Sequence, residues 1–297
     1  MKISLGILLN SILLISSRIY SGNEGNYLQY PEPAEGWDKD NCQSKSLQSP
    51  IEIPSMKDEN VIKDDGSAAN IIDMIYPEIS GVNVSYDGGH KWTTQKLLNS
   101  DKRIIKLNLN KTSYIYELKS FHFHLYSEHR LESKQYPMEM HLVHENQDTS
   151  NKLNQYLVLG ILFDYADDKE NKFLKDIHLS TGEEITGASL SDLIKKNDTF
   201  YYYKGSLTTE PCDETVNWIV FKDIKAMSYQ QYEDFKKWVE GSNPKYYGAG
   251  YGNARGPKPL NKRSIFLENE KGLESSKDNF LVITIVSLWI YLMLILY

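Results

Sequence analysis

Five of the seven histidines, His122, His124, His129, His141 and His144, fall in one short stretch of the chain. Successive side chains of a strand alternate between its two faces. Phe121-His122-Phe123-His124 therefore sets both imidazoles on one face and both phenyl rings on the other. By the same rule, Glu139, His141 and Val143 share a face of the run Glu139-Met140-His141-Leu142-Val143-His144. Paired antiparallel, the two strands can bring three imidazoles together. Three neutral imidazoles and an open fourth position suit a catalytic zinc, because its bound water must stay exchangeable. A metal-bound imidazole also needs its second nitrogen held by an acceptor, and Glu139 stands two residues from His141 to do this. A lone buried histidine reads as a satisfied core residue, whereas this set reads as a metal site. His129, in the connecting turn, and His144, off the ligand face, read as structural hydrogen-bonding residues.

Two other metal chemistries can be weighed on the residues. His122-x-His124-x-x-x-Glu128 also matches a cupin jelly-roll motif, which would make Glu128 a ligand of iron or manganese. The glycine that precedes that motif is missing, with Tyr114 to Leu118 in its stretch, and no second glycine-proline motif surrounds His141. The metalloprotease pattern His-Glu-x-x-His is absent from the chain.

The elements that must carry these residues are mostly short apolar runs between turn residues. Strands are expected over Ile104–Leu109, Tyr114–Leu118, Phe121–Leu125, Met138–Val143, Tyr156–Phe163 and Val216–Phe221. A helix is expected over Tyr229–Glu240, opened by a Ser228–Gln231 capping box, striped by Tyr232, Phe235 and Trp238, and ended by Gly241. A shorter helix is expected around Ser189–Lys196. Ser55–Ser80 reads as a surface excursion and Glu268–Asn279 as a polar stalk.

Composition bounds the rest. The chain has 297 residues, 40% hydrophobic and 25% charged, which is ordinary for a globular domain. Its net charge of −7 leaves no basic balance for phosphates, so nucleic acid is excluded as a partner class. Lys2, the apolar run Ile3–Ile15 and small residues up to Ser21 form a secretory signal pattern. Residues 280–297 carry no charged side chain and approach the length of a membrane span. With no Lys or Arg beyond Phe280, the tail reads as a GPI-anchor signal in preference to a transmembrane helix. The expected organisation is a signal peptide (1–21), one catalytic domain (22–266), a stalk (267–279) and a hydrophobic tail (280–297). The domain then stands on the extracellular face of the cell membrane, held there by its C-terminal anchor. In that oxidising compartment Cys42 and Cys212 pair as a disulfide, unless they are two unrelated buried thiols. Sequons at Asn83, Asn110 and Asn197 agree with secretion.

In order along the chain, Leu47-Gln48-Ser49-Pro50-Ile51-Glu52-Ile53, Phe121-His122-Phe123-His124, Ser127-Glu128-His129, Met138 to His144 and Gly205 to Cys212 resemble α-class carbonic anhydrases. Val158-Leu159-Gly160-Ile161, Trp218-Ile219-Val220 and Asn253 to Leu260 extend the likeness over residues 27–266. The resemblance implies a mainly β (α+β) single domain with a large central, mostly antiparallel twisted sheet, a few surface helices and a conical cavity. It implies Zn2+ held by His122, His124 and His141, and reversible hydration of carbon dioxide to bicarbonate by zinc-activated water. Thr208 resembles the gatekeeper that orients the attacking group and donates a hydrogen bond to Glu128. Val143, Val158, Leu207, Val216 and Trp218, with Thr209 beside Thr208, resemble the residues that receive the substrate. His90, in a Gly89-His90 pair, resembles the imidazole that relays the proton. Cys42 and Cys212 resemble the cysteines bridged in secreted and membrane-bound members. Ser120 departs from the pattern, standing where the family usually has a glutamine supporting His122. The alternative implied by the family is a non-catalytic adhesion or binding module; such members typically lose a zinc histidine, and none is lost here.

Overall fold

The structure, a computed structural model, describes residue 42 and residues 45–86, 92–94, 102–166, 169–242 and 253–269. The expected signal peptide, the hydrophobic tail, His90 and all but the first residues of the stalk lie outside the described residues.

In chain order the first strands are β1 (Glu52–Ile53), β2 (Val61–Lys63), β3 (Ala69–Ile75), β4 (Val84–Tyr86), β5 (Trp92–Thr94), β6 (Ile104–Leu109) and β7 (Thr112–Leu125). They continue with β8 (Arg130–Leu131), β9 (Lys134–Gln135), β10 (Met138–Asn146), β11 (Tyr156–Tyr165), β12 (Phe200–Gly205), β13 (Val216–Phe221), β14 (Lys225–Met227) and β15 (Ile265–Glu268). Helices α1 (Lys172–Asp176) and α2 (Tyr229–Ser242) and the 3-10 turns Lys152–Asn154 and Leu190–Asp192 also lie among the described residues. Among the described residues, twelve strands form one mixed sheet with the path β2-β15-β12-β13-β11-β10-β7-β5-β4. Off this path, β3 pairs with β6, β6 with β7, and β14 with β11. Most pairings are antiparallel, as expected; β11 with β13 and β14, and β15 with β2, are parallel.

The alternation read in the sequence sorts the two faces of this sheet. Phe121 and Phe123 point away from the imidazoles into the larger apolar core, where Phe173 of α1 and Phe235 of α2 meet them at ring distances of 6.0 and 5.8 Å. Burying each such side chain contributes about 1.5–3 kcal/mol, which fixes the register of β7 and so the face its histidines take. The opposite face carries a smaller apolar cluster that includes Val158, Val216 and Trp218.

Five local expectations change. The runs Tyr114–Leu118 and Phe121–Leu125 are one continuous strand, because the register shift beside Val143/His144 absorbs the interruption between them. Helix α2 has the expected capping box, with Gln231 N donating to Ser228 Oγ at 3.1 Å and Ser228 N to Gln231 Oε1 at 3.2 Å. It runs through Gly241 to Ser242 rather than ending at the glycine. The segment around Ser189–Lys196 holds only a 3-10 turn, Leu190–Asp192, whose neighbours Leu193 and Ile194 are anchored in the core. Ser55–Ser80 is no mere excursion: it supplies β2 and β3, whose alternation is broken by a register shift between Ile71 and Asp73. Leu267 and Glu268, assigned to the stalk from sequence, are buried in β15.

Candidate metal centre

The antiparallel register of β7 and β10 sets His141 opposite His122 and Glu139 opposite His124. Directly opposed residues share a face, so three imidazoles and one carboxylate converge. All three rings are buried, and one nitrogen from each lies within 4.8 Å of the others. His141 Nδ1 and His122 Nε2 are 3.2 Å apart. His124 Nδ1 meets Asn253 O at 3.1 Å and Glu128 Oε1 at 3.4 Å, so Nε2 is the nitrogen it offers to a metal.

Behind this triad Glu139 is the organising group. Its Oε1 accepts from His141 Nε2 at 2.8 Å and from His129 Nδ1 at 2.7 Å, while Oε2 accepts the backbone N–H groups of Glu128 and His129, each at 2.8 Å. Burial alone would raise its pKa, but the His129 and His141 imidazoles hold it well below the usual carboxylate range. His129 is fixed in turn by Tyr203, whose hydroxyl is 2.7 Å from Nε2 and donates to Ser49 Oγ at 3.0 Å. His129, Glu139 and His141 form a second compact group, but these mutual hydrogen bonds occupy its ligand atoms. With Nε2–H of His141 donated to Glu139, Nδ1 carries the lone pair. This donor set of neutral imidazoles with a fixed tautomer fits zinc.

Gly160 lies opposite His141 on β11, and a Cβ there would stand 2.9 Å from Glu139 Oε1. Substituting Gly160→Ala is therefore expected to displace the carboxylate and weaken zinc binding about 10–100-fold. Competition against a chromophoric chelator measures this; unchanged affinity would show that the carboxylate has room to adjust.

Above the triad, Glu128 Oε1 accepts the Arg255 backbone N–H at 2.9 Å, and the Thr208 hydroxyl lies close enough to the same carboxyl group to lower its pKa. Burial pushes the Glu128 pKa up to about 8, opposed by those two donors. A cation on the neighbouring imidazoles would oppose it further. Thr208 is itself buried, on a loop closed by Cys212 N donating to Thr209 O at 2.9 Å. Cys42 and Cys212 are bridged as expected.

The model of the eukaryotic-type carbonic anhydrase family matches residues 32–269. The chain belongs to the carbonic anhydrase family. It is 32% identical to a carbonic anhydrase of Dunaliella salina over 61% of this chain and 31% of that protein. With alpha carbonic anhydrase 8 of Arabidopsis thaliana it shares 27% identity over 77% of this chain and 55% of that one. The chain thus spans a third to about half the length of these relatives. The solved structure of carbonic anhydrase Cah3 from Chlamydomonas reinhardtii in complex with acetazolamide aligns with a TM-score of 0.64 and 28% identity, covering 82% of this chain and 99% of that one.

In this member of the carbonic anhydrase family the residues expected to receive substrate lie together. Val158, Val216 and Trp218 are buried in one cluster, with Val143 and Leu207 packed against it. The Trp218 ring is 4.8 Å from those of His129 and His141, held by Nε1 donating to Ser206 O at 3.0 Å. Thr209 is half-buried beside Thr208. Ser120 lies on β7 opposite Val143, two residues before His122. His90 is outside the described residues. His144 is a core residue, its Nε2 2.6 Å from the Tyr76 hydroxyl, and burial depresses its pKa to about 4. Asn253, Arg255, Tyr203 and Ser49 were not singled out individually from sequence. Ser49, Asn253 and Arg255 lie in stretches that carry the family likeness, but their contacts to the site cross long stretches of chain, so their part in it shows only in the structure.

Proposed function

We propose that this protein is a zinc enzyme that interconverts carbon dioxide with bicarbonate and a proton. The reading is carried by the three buried imidazole nitrogens with Glu139 fixed behind His141. A zinc ion held there supplies Lewis-acid activation of water near neutral pH. His122, His124 and His141 hold the ion, and Glu139 keeps the His141 lone pair on Nδ1. Thr208 would donate a hydrogen bond to Glu128, so its oxygen would be left to accept one from the activated water, orienting that group's lone pair toward the substrate. Val143, Val158, Leu207, Val216 and Trp218 form an apolar surface suited to an uncharged substrate. His90 is proposed to relay the proton to solvent.

The test is stopped-flow carbon dioxide hydration by protein stripped with a chelator and then reloaded with zinc. Hydration that appears only with zinc is the expected result. A folded, zinc-loaded but inactive protein would favour the binding-module alternative. For the relay, His90→Ala is expected to slow turnover in weak buffer and to be rescued by imidazole. Unchanged turnover would remove His90 from the mechanism.

We also propose that the domain is displayed outside the cell through the signal peptide and a GPI anchor, as the terminal sequences suggest. Phosphatidylinositol-specific phospholipase is expected to release it; retention would favour a transmembrane tail. On that route the sequons separate by geometry. Asn110 is exposed at the turn joining β6 to β7, where it and Lys111 adopt φ of 47° and 67°, and Asn197 is also exposed. The Asn83 amide is half-buried and donates to Gly182 O at 3.3 Å. Peptide mass spectrometry is expected to find glycans on Asn110 and Asn197 and none on Asn83.

A further inference from the structure

Glu268 ends β15 and is only 1% exposed. Its Oε1 accepts the Ala69 N–H at 3.1 Å, while the buried Oε2 has no hydrogen-bond partner among the described residues. Asp64, in the turn between β2 and β3, lies within hydrogen-bonding reach of the same carboxyl group. The turn already engages both Asp64 oxygens: Oδ1 takes the Ser67 hydroxyl at 2.8 Å and Oδ2 the Ala68 N–H at 2.7 Å. Two ionised carboxylates in this position repel each other and offer only acceptors. One proton between them removes the repulsion and gives the buried oxygen a hydrogen to donate.

We infer that Asp64 and Glu268 share one proton, and that this proton latches the end of β15 onto the β2–β3 turn.

The position gives the latch its effect. Asp64 N donates to Leu267 O at 3.0 Å, and β15 pairs in parallel with β2 at the edge of the sheet. Beyond Glu268, the Asn269 side chain reaches Lys196 O and Asp198 O, each at 3.4 Å, where the chain leaves the sheet. Of the other ionisable groups on the packed elements, Tyr202 on β12 acts on Glu268, and Lys63 at the end of β2 and Asp65 in the turn flank Asp64 in the chain. The Tyr202 hydroxyl donates to Asn217 Oδ1 at 2.9 Å. Burial, then Asp64, push Glu268 up to about 8, against the Ala69 and Gly66 N–H groups. Burial also works against the Asp64 charge, but its N–H and O–H donors hold Asp64 below its ordinary value, so the proton resides on Glu268.

Because the Glu268 pKa is raised on folding, the stability it confers is complete below the ordinary carboxyl pKa and is lost as pH climbs through that window. Opening of β15 then releases one proton. In the full chain, hydrogen exchange of the β15 amides, corrected for intrinsic rate, is expected to show an opening constant that rises up to about tenfold per pH unit toward pH 8 and then levels. Glu268→Gln and Asp64→Asn are expected to flatten this dependence. A slope that survives in both variants would overturn the latch. Should either fail to fold, the carboxyl carbon of Glu268 in the unmodified chain decides by NMR: titration well above the ordinary glutamate value supports the shared proton, and titration at that value refutes it. No readout here involves turnover, so the outcome is independent of the proposed enzymatic activity.

Discussion

Replacing His141 with Ala is expected to abolish zinc retention and bring carbon dioxide hydration down to background. The site offers three nitrogens, and His141 is the one whose tautomer is set by a buried carboxylate, through Nε2 at 2.8 Å from Glu139. Its loss leaves two imidazoles on β7 without the ligand opposite and strips one hydrogen bond from a carboxylate that is fully buried. Leaving a buried charged acceptor short of a partner costs on the order of 1–3 kcal/mol, so a lower unfolding midpoint should accompany the lost metal. The informative control is His144→Leu, three residues along β10. It removes the contacts to Tyr76 and to the Leu142 and Leu157 carbonyls and should also destabilise, yet leave zinc content intact. Elemental analysis with stopped-flow hydration checks both variants. Zinc retained at full stoichiometry by His141→Ala would overturn the three-histidine assignment.

Removing the disulfide as Cys42→Ser with Cys212→Ser is expected to cost roughly 2–5 kcal/mol of stability and also to lower kcat. The bridge closes a loop of 170 residues, so the unfolded chain gains considerable freedom without it. The effect on rate comes from what the bridge touches. Arg255 donates through its guanidinium to Cys42 O at 2.8 Å and to Ser49 O at 2.7 Å, and its backbone N–H holds Glu128 at 2.9 Å. On the other side, Gln48 Nε2 donates to Cys212 O at 3.0 Å, and Cys212 N closes the turn on Thr209. Loosening both ends frees the Thr208 loop from Glu128. The imidazoles sit on β7 and β10 within the sheet, so zinc affinity should hardly move. Denaturant unfolding reports the first effect, and kcat at full zinc occupancy the second. An unchanged kcat would show that the hydrogen bonds hold the loop without the bridge.

Much of the site was legible because it is local. Alternation on β7 and on β10 is a property of each strand alone, so the shared face of His122 and His124, and of Glu139 and His141, could be read without knowing the fold. The capping box of α2 is similarly local, with its partners three residues apart. Where pattern reading failed, a non-local effect decided: β3 carries a register shift that disguises its alternation, and β15 ends in a buried glutamate that reads as polar stalk.

By itself, then, the sequence determined the three imidazoles, their faces and the acceptor behind one of them, since side-chain periodicity is set by backbone geometry within a strand. Only the tertiary structure decided that His141 lies opposite His122, that Asn253 and Glu128 turn the His124 ring, that Gly160 leaves room for Glu139, and that Glu268 meets Asp64. Each of those contacts joins separate strands or loops. Pairing register and chain crossings follow from the burial of the whole core, which no single segment encodes.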